Sequence, residues 1–231
     1  MMVLRSLAFY LLFYSGSVFF VLGSLAVLVF PPRISRKMPD GWARFHRWCV
    51  VHVLGIEVKE EGNRADGPAL YAVKHESMFD AIDAPVFLYR PVAFAKAELF
   101  RIPGWGRAAA AYGIVSVARD EGARALRQMI GQARHYSKEG RPLVIFPEGT
   151  RVPRGEVAPL RSGFAGLYKI LALPVIPVAI DSGRTYRGLW KRRGTITIHF
   201  GEPIPPGLSR EEIEARVQQG INLLNTPDEA Q

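Results

Sequence analysis

The 231-residue chain reads as an α/β protein: a mixed, largely parallel sheet flanked by helices and preceded by N-terminal membrane helices. Two observations carry that reading. From Leu70 onward, short apolar runs alternate with amphipathic or turn-rich stretches, the pattern of strands joined by helical crossovers. Ahead of them, Leu7 to Phe30 is an unbroken run of 24 residues without a charge. The length suits one core of catalytic size with an appendage. Lys and Arg outnumber Asp and Glu by 30 to 21, and the net charge of +9 favours an anionic partner: nucleic acid, an acidic membrane face or a phosphorylated ligand. The single Cys49 excludes an internal disulfide framework and a thiolate zinc site.

Residues 1–37 read as an uncleaved hydrophobic anchor. At about 1.5 Å per residue, the 24 apolar residues cover the roughly 30 Å core of a bilayer, and they end in Phe30-Pro31-Pro32 rather than a small-residue cleavage site. Arg5 precedes the run while Arg33, Arg36 and Lys37 follow it, which places the bulk of the chain on the cytoplasmic face of a membrane, read as a bacterial inner membrane. A one-leaflet hairpin bending at Pro31-Pro32 is the alternative to full spanning, and deletion of residues 1–37 is expected to release much of the protein from lipid. Residues 38–60 read as an amphipathic interfacial helix: Trp42, Phe45, Cys49, Val53 and Ile56 recur at helical steps with Arg44 and Arg47 between them. His46, Cys49 and His52 lie three apart, but they drift around a helix with no further ligand nearby, so packing is the better reading than metal.

Residues 61–231 then form the catalytic domain. Expected strands are Leu70 to Val73, Val92 to Ala95, Gly113 to Val117, Leu143 to Phe146, Val175 to Ile180 and Thr195 to Phe200. Glu121 to Lys138 carries Ala125, Met129, Ile130 and Ala133 on one side and should pack on the sheet. Ser209-Arg-Glu-Glu212 matches a capping box that opens a terminal helix reaching Leu224.

Two constellations carry chemistry. In HESMFD, residues 75–80, a regular helix would point His75 and Asp80 to different faces. With His75 in the loop after a strand and a helix starting near Ser77, the carboxylate can fold back to the imidazole and orient it as a general base. Ser77 lacks the flanking glycines of a hydrolase elbow and reads as a helix cap. In FPEGTR, residues 146–151, Gly149 allows close backbone approach and Arg151 offers a fork for phosphate oxygens. The helix that follows Arg161 can add its amides, and Arg119 ends another strand. Parallel strands would bring His75, Arg119 and Arg151 to one sheet edge.

These motifs resemble those of the glycerolipid acyltransferases, the family of the 1-acylglycerol-3-phosphate acyltransferases. HESMFD is similar to the family's H-x-x-x-x-D motif and FPEGTR to its phosphate-binding motif. Lys96-Ala-Glu98-Leu99, Ile102-Pro103-Gly-Trp-Gly106 and Val175-Ile-Pro-Val178 resemble its other blocks, with Lys74 where many members have Asn. The resemblance implies acyl transfer from a thioester, acyl-CoA or acyl carrier protein, to the sn-2 hydroxyl of a lysophosphatidic acid in a membrane. It assigns catalysis to His75 and Asp80, and phosphate binding to Arg119, Glu148, Gly149, Thr150 and Arg151, with Lys96 and Arg161 in support. Glu148 could instead orient its loop. No metal, no bound cofactor and no nucleic-acid partner are expected; an anionic membrane surface is. Another lysolipid or glycerol-3-phosphate is the alternative acceptor, and a membrane-bound lipid hydrolase or a non-catalytic lipid binder is the alternative of another class.

Overall fold

The structure, a computed structural model, describes residues 1–117 and 122–226, of which residues 32, 33, 122, 123, 125 and 126 are described by backbone alone. An apolar helix α1 (Met2–Ala26) is followed by a short α2 (Pro32–Ser35) and by α3 (Lys37–Trp48), which continues as a π-helical turn, Cys49–Leu54. Then come β1 (Ile56–Glu61), β2 (Leu70–Val73), α4 (Met78–Ile82), α5 (Ala84–Phe87), β3 (Val92–Lys96) and a 3-10 turn at Ala97–Arg101. They are followed by α6 (Trp105–Tyr112), β4 (Val115–Val117), α7 (Gly122–Lys138), β5 (Leu143–Ile145) and α8 (Ser162–Leu171). The chain closes with β6 (Val175–Ile180), α9 (Gly183–Tyr186), β7 (Gly194–Phe200) and α10 (Arg210–Ile221).

Among the described residues, seven strands form one sheet in the order β1-β7-β6-β2-β5-β3-β4. Every pairing is parallel except β6 with β7. Central β2 is buried on both faces, as an interior parallel strand must be. Its period-2 alternation splits the interior: Leu70 and Ala72 join Met129, Ile130, Phe164, Leu167 and Val217 from α7, α8 and α10 on one face. Tyr71 and Val73 join Phe79, Phe87 and the N-terminal rings Phe9 and Phe13 on the other.

The N-terminal helices are therefore part of the core. α1 and α3 run antiparallel: Phe45 lies against Gly16, Phe20 against Gly41 and Met38 against Gly23, and a side chain added at these glycines would meet those residues. Trp42 Nε1 donates to Ser17 Oγ at 2.9 Å, and Arg5 Nη1 donates to the Leu54 carbonyl at 3.2 Å, so contact runs from one end of α1 to the other. The opposite side is bare and apolar, with Leu4, Leu11, Phe19 and Leu22 exposed.

One expectation is corrected. The helix expected to reach residue 60 ends at Leu54, and Gly55, at φ 71, turns the chain into β1, an edge strand paired with β7. Its sequence, Ile-Glu-Val-Lys-Glu-Glu, buries Ile56 alone, and charges along an edge strand oppose further pairing. His46 packs, as preferred above over a metal role, and does so in the core: its Nε2 lies 2.8 Å from the Tyr186 hydroxyl, and burial first, then nearby Arg47 and Lys191, lower its pKa to about 3. Among the described residues no cluster of three His, Cys, Asp or Glu side chains is placed to hold a metal ion.

Candidate active site

Residue 74 extends the central strand, with its N–H donating to the Val178 carbonyl at 2.9 Å, and the chain then turns out of the sheet. His75 lies in that loop. Ser77 caps α4: its hydroxyl accepts from the Phe79 N–H at 3.1 Å, and the carboxylate of Asp80 accepts from the Ser77 N–H at 2.8 Å. The same oxygen, Oδ2, accepts from the Glu76 N–H at 2.7 Å and stands 3.2 Å from His75 Nδ1. A capping box thus fixes the carboxylate before the histidine meets it. An ionised carboxylate only accepts, so Nδ1 donates and the basic lone pair falls to Nε2. Phe146 lies beside the imidazole, its ring tilted by 31° with centroids 4.4 Å apart.

FPEGTR follows β5, the immediate neighbour of β2, and is stitched to the histidine loop. The Val152 N–H donates to the His75 carbonyl at 2.8 Å, and Gly149, at φ 72, turns the backbone where Arg161's stem crosses 2.8 Å from the position of an added Cβ. Thr150 and Arg151 are exposed at the mouth. Glu148, grouped above with the phosphate-binding residues, does not face the cleft. It is buried, paired with Lys74 Nζ at 2.7 Å, and its other oxygen lies 3.4 Å from the His75 N–H. Its charge would also repel a phosphate; it holds the two loops together. Lys74 is likewise interior, and its third contact is Asn222 Oδ1 at 2.9 Å.

Lys96 is exposed at the end of β3, paired in register with Val117 of β4. The C-terminal ends of β2, β5, β3 and β4 share one edge, as parallel pairing requires. Arg119 lies outside the described residues.

Several residues escaped the sequence reading. A cavity of about 390 Å³ is lined by Glu76, Ser77 and Met78, by Thr150 and Arg151, and by Tyr186, Arg187 and Lys191. Glu76 is fully buried; Oε2 accepts from the Gly183 N–H at 2.7 Å, and burial raises its carboxyl to about 7. The segment 182–201 holds five Lys and Arg and no Asp or Glu, the signal that could have marked the far wall.

Fold and site define a class first: an α/β protein with a carboxylate-braced imidazole in a loop after its central strand, beside a loop that carries an exposed arginine. The particular family follows from comparison with known proteins. The chain belongs to the acyltransferase family, whose model matches residues 55–181. It is 31% identical over 206 residues to the 1-acyl-sn-glycerol-3-phosphate acyltransferase of Pseudomonas aeruginosa, across 86% of this chain and 79% of that one. It is 27% identical over 179 residues to the human 1-acyl-sn-glycerol-3-phosphate acyltransferase beta, across 75% of this chain and 64% of that one. The crystal structure of the 1-acyl-sn-glycerophosphate acyltransferase from Thermotoga maritima superposes over the full length of both chains with a TM-score of 0.74 at 24% identity, a likeness of fold.

Proposed function

We propose that this acyltransferase moves a fatty acyl group from a thioester, acyl-CoA or acyl carrier protein, to the sn-2 hydroxyl of lysophosphatidic acid, giving phosphatidic acid. The observation that carries the reading is the His75–Asp80 pair, 3.2 Å apart, in a loop stitched to the one bearing Arg151. His75 Nε2 takes the hydroxyl proton as the oxygen attacks the thioester carbonyl. Asp80 holds the resulting imidazolium, which returns the proton to the departing thiolate. General-base help of this kind is worth about 10² to 10⁴ in rate, and positioning of the two substrates supplies more. A purified-enzyme assay with both donors and a panel of lysolipids tests it. His75→Ala should cost at least about a hundredfold in kcat; wild-type enzyme that transfers no acyl group to lysophosphatidic acid overturns the assignment.

A hydrolase built on Ser77 is disfavoured by geometry. The Ser77 hydroxyl is buried, accepts from the Phe79 N–H, and shares a hydrogen bond with Ser182 Oγ at 2.7 Å.

α1 is long and apolar enough to cross a bilayer. Its contact with α3 and the catalytic core along its whole length supports a hairpin lying in one leaflet, at the cytoplasmic face. Single cysteines placed at either end of α1, in a Cys49→Ser background, should both react with an impermeant thiol reagent from the same side; opposite sidedness means spanning.

A further inference from the structure

Arg187 and Lys191 lie beyond the family-matched segment, which ends at residue 181, yet they wall the same cavity as Arg151 and the residues after His75. We propose that Arg187 and Lys191 form a head-group filter that selects an acceptor carrying a dianionic phosphomonoester over one carrying a monoanionic phosphodiester. This rests on the acyl-transfer reading above.

The acceptor's sn-2 hydroxyl and phosphate-ester oxygen sit on adjacent carbons, so the phosphate must bind close to His75. The cavity between the two motif loops is lined by Glu76, Ser77 and Met78, the residues directly after His75, and by Thr150 and Arg151. Lys96, by contrast, ends a strand two places from β2, about 10 Å away along the sheet edge. The Arg187 side chain is exposed and has no hydrogen-bond or ion-pair partner among the described residues, so its fork is available for phosphate oxygens. Lys191 is positioned in advance: its ammonium donates to the Tyr186 carbonyl and to the Gly188 carbonyl at 2.9 Å, and stands 4.2 Å from the Tyr186 ring centroid. Burial lowers it to about 8, and a dianion beside it would favour its charged form. Among the described residues Glu76 is the one carboxyl in the lining, and the rise of its pKa to about 7 weakens its repulsion of an anion.

The wall is held from the N-terminus. The Tyr10 hydroxyl donates to the Leu189 carbonyl, and Ser6 Oγ accepts from the Lys191 N–H at 2.9 Å. α1 thereby braces the segment that carries Lys191 as well as presenting an apolar surface.

The test uses the full-length enzyme with short-chain, water-soluble acceptors, so that membrane partition does not enter. Lysophosphatidic acid and lysophosphatidylglycerol supply the monoester and the diester. Arg187→Gln should raise KM for the monoester roughly tenfold or more, the loss of a charged hydrogen bond, with KM for the acyl donor and the melting temperature unchanged. The preference for monoester over diester should fall by the same factor. Arg187→Lys should recover part of it, and Arg187→Gln/Lys191→Gln should lose more than either single change. Equal losses on both acceptors, a shift in donor KM alone, or an unchanged acceptor KM each overturn the filter. Wild-type enzyme inactive on both acceptors, like the His75→Ala blank, would instead overturn the acyl-transfer reading.

Discussion

Lys74 and Glu148 show how much of the site is held by groups buried behind it. Both are buried, and each leaves the other uncompensated if removed. Lys74→Met should cost about 3 to 5 kcal/mol in denaturant unfolding, with much of that loss absent from the Lys74→Met/Glu148→Gln double variant. A fully additive double variant would show that the pair does not couple. Ser77→Ala removes a cap, not a nucleophile: about 1 kcal/mol of stability is expected to go while most turnover remains. The geometry of the HESMFD residues was legible because it depends on local spacing. A loop histidine, a helix start and a carboxylate at the third helical position form a unit within six residues. Lys74's partner was not legible, because Glu148 lies 74 positions away and the pairing exists only once β2 and β5 lie side by side.

Elements whose hydrophobic pattern matches their burial were equally readable. β2 and β6 have the bounds expected, since both are interior strands with continuous apolar runs. β1 was missed for the opposite reason: an edge strand with one buried residue has no period to read, and an amphipathic helix ran straight into it. Arg161 and Glu212 illustrate two ways of opening a helix. Ser209 Oγ accepts from the Glu212 N–H at 3.1 Å as the capping pattern predicts, whereas Arg161, at the N-cap of α8, makes no side-chain cap hydrogen bond. The α1–α3 hairpin depends on glycines that admit rings. Gly16→Leu should push Phe45 off α1 and lower the melting temperature by several degrees; an unchanged melt would show that the two helices dock elsewhere.

Across the molecule, two buried carboxyls set a pH dependence. Burial raises Glu76 from 4.5 to about 7, and raises Asp83 from 3.8 to about 6 although Arg47 Nε donates to it at 2.8 Å. Both folded values lie above the unfolded ones, so between them the folded chain holds the more protons. Their contribution is complete below about pH 4 and is lost as pH rises through about 7. Glu76→Gln should gain on wild type as pH rises from 5 to 8, by no more than about 3 kcal/mol. A constant gap between the two melting curves would refute it. The burial of Phe9 and Phe13 beneath the sheet also bears on how a water-soluble form could be made. Trimming the leader would tear two rings out of the interior, so the route to a detergent-free enzyme is to keep the leader and recolour its greasy exterior, replacing Leu4, Leu11, Phe19 and Leu22 with glutamate or lysine.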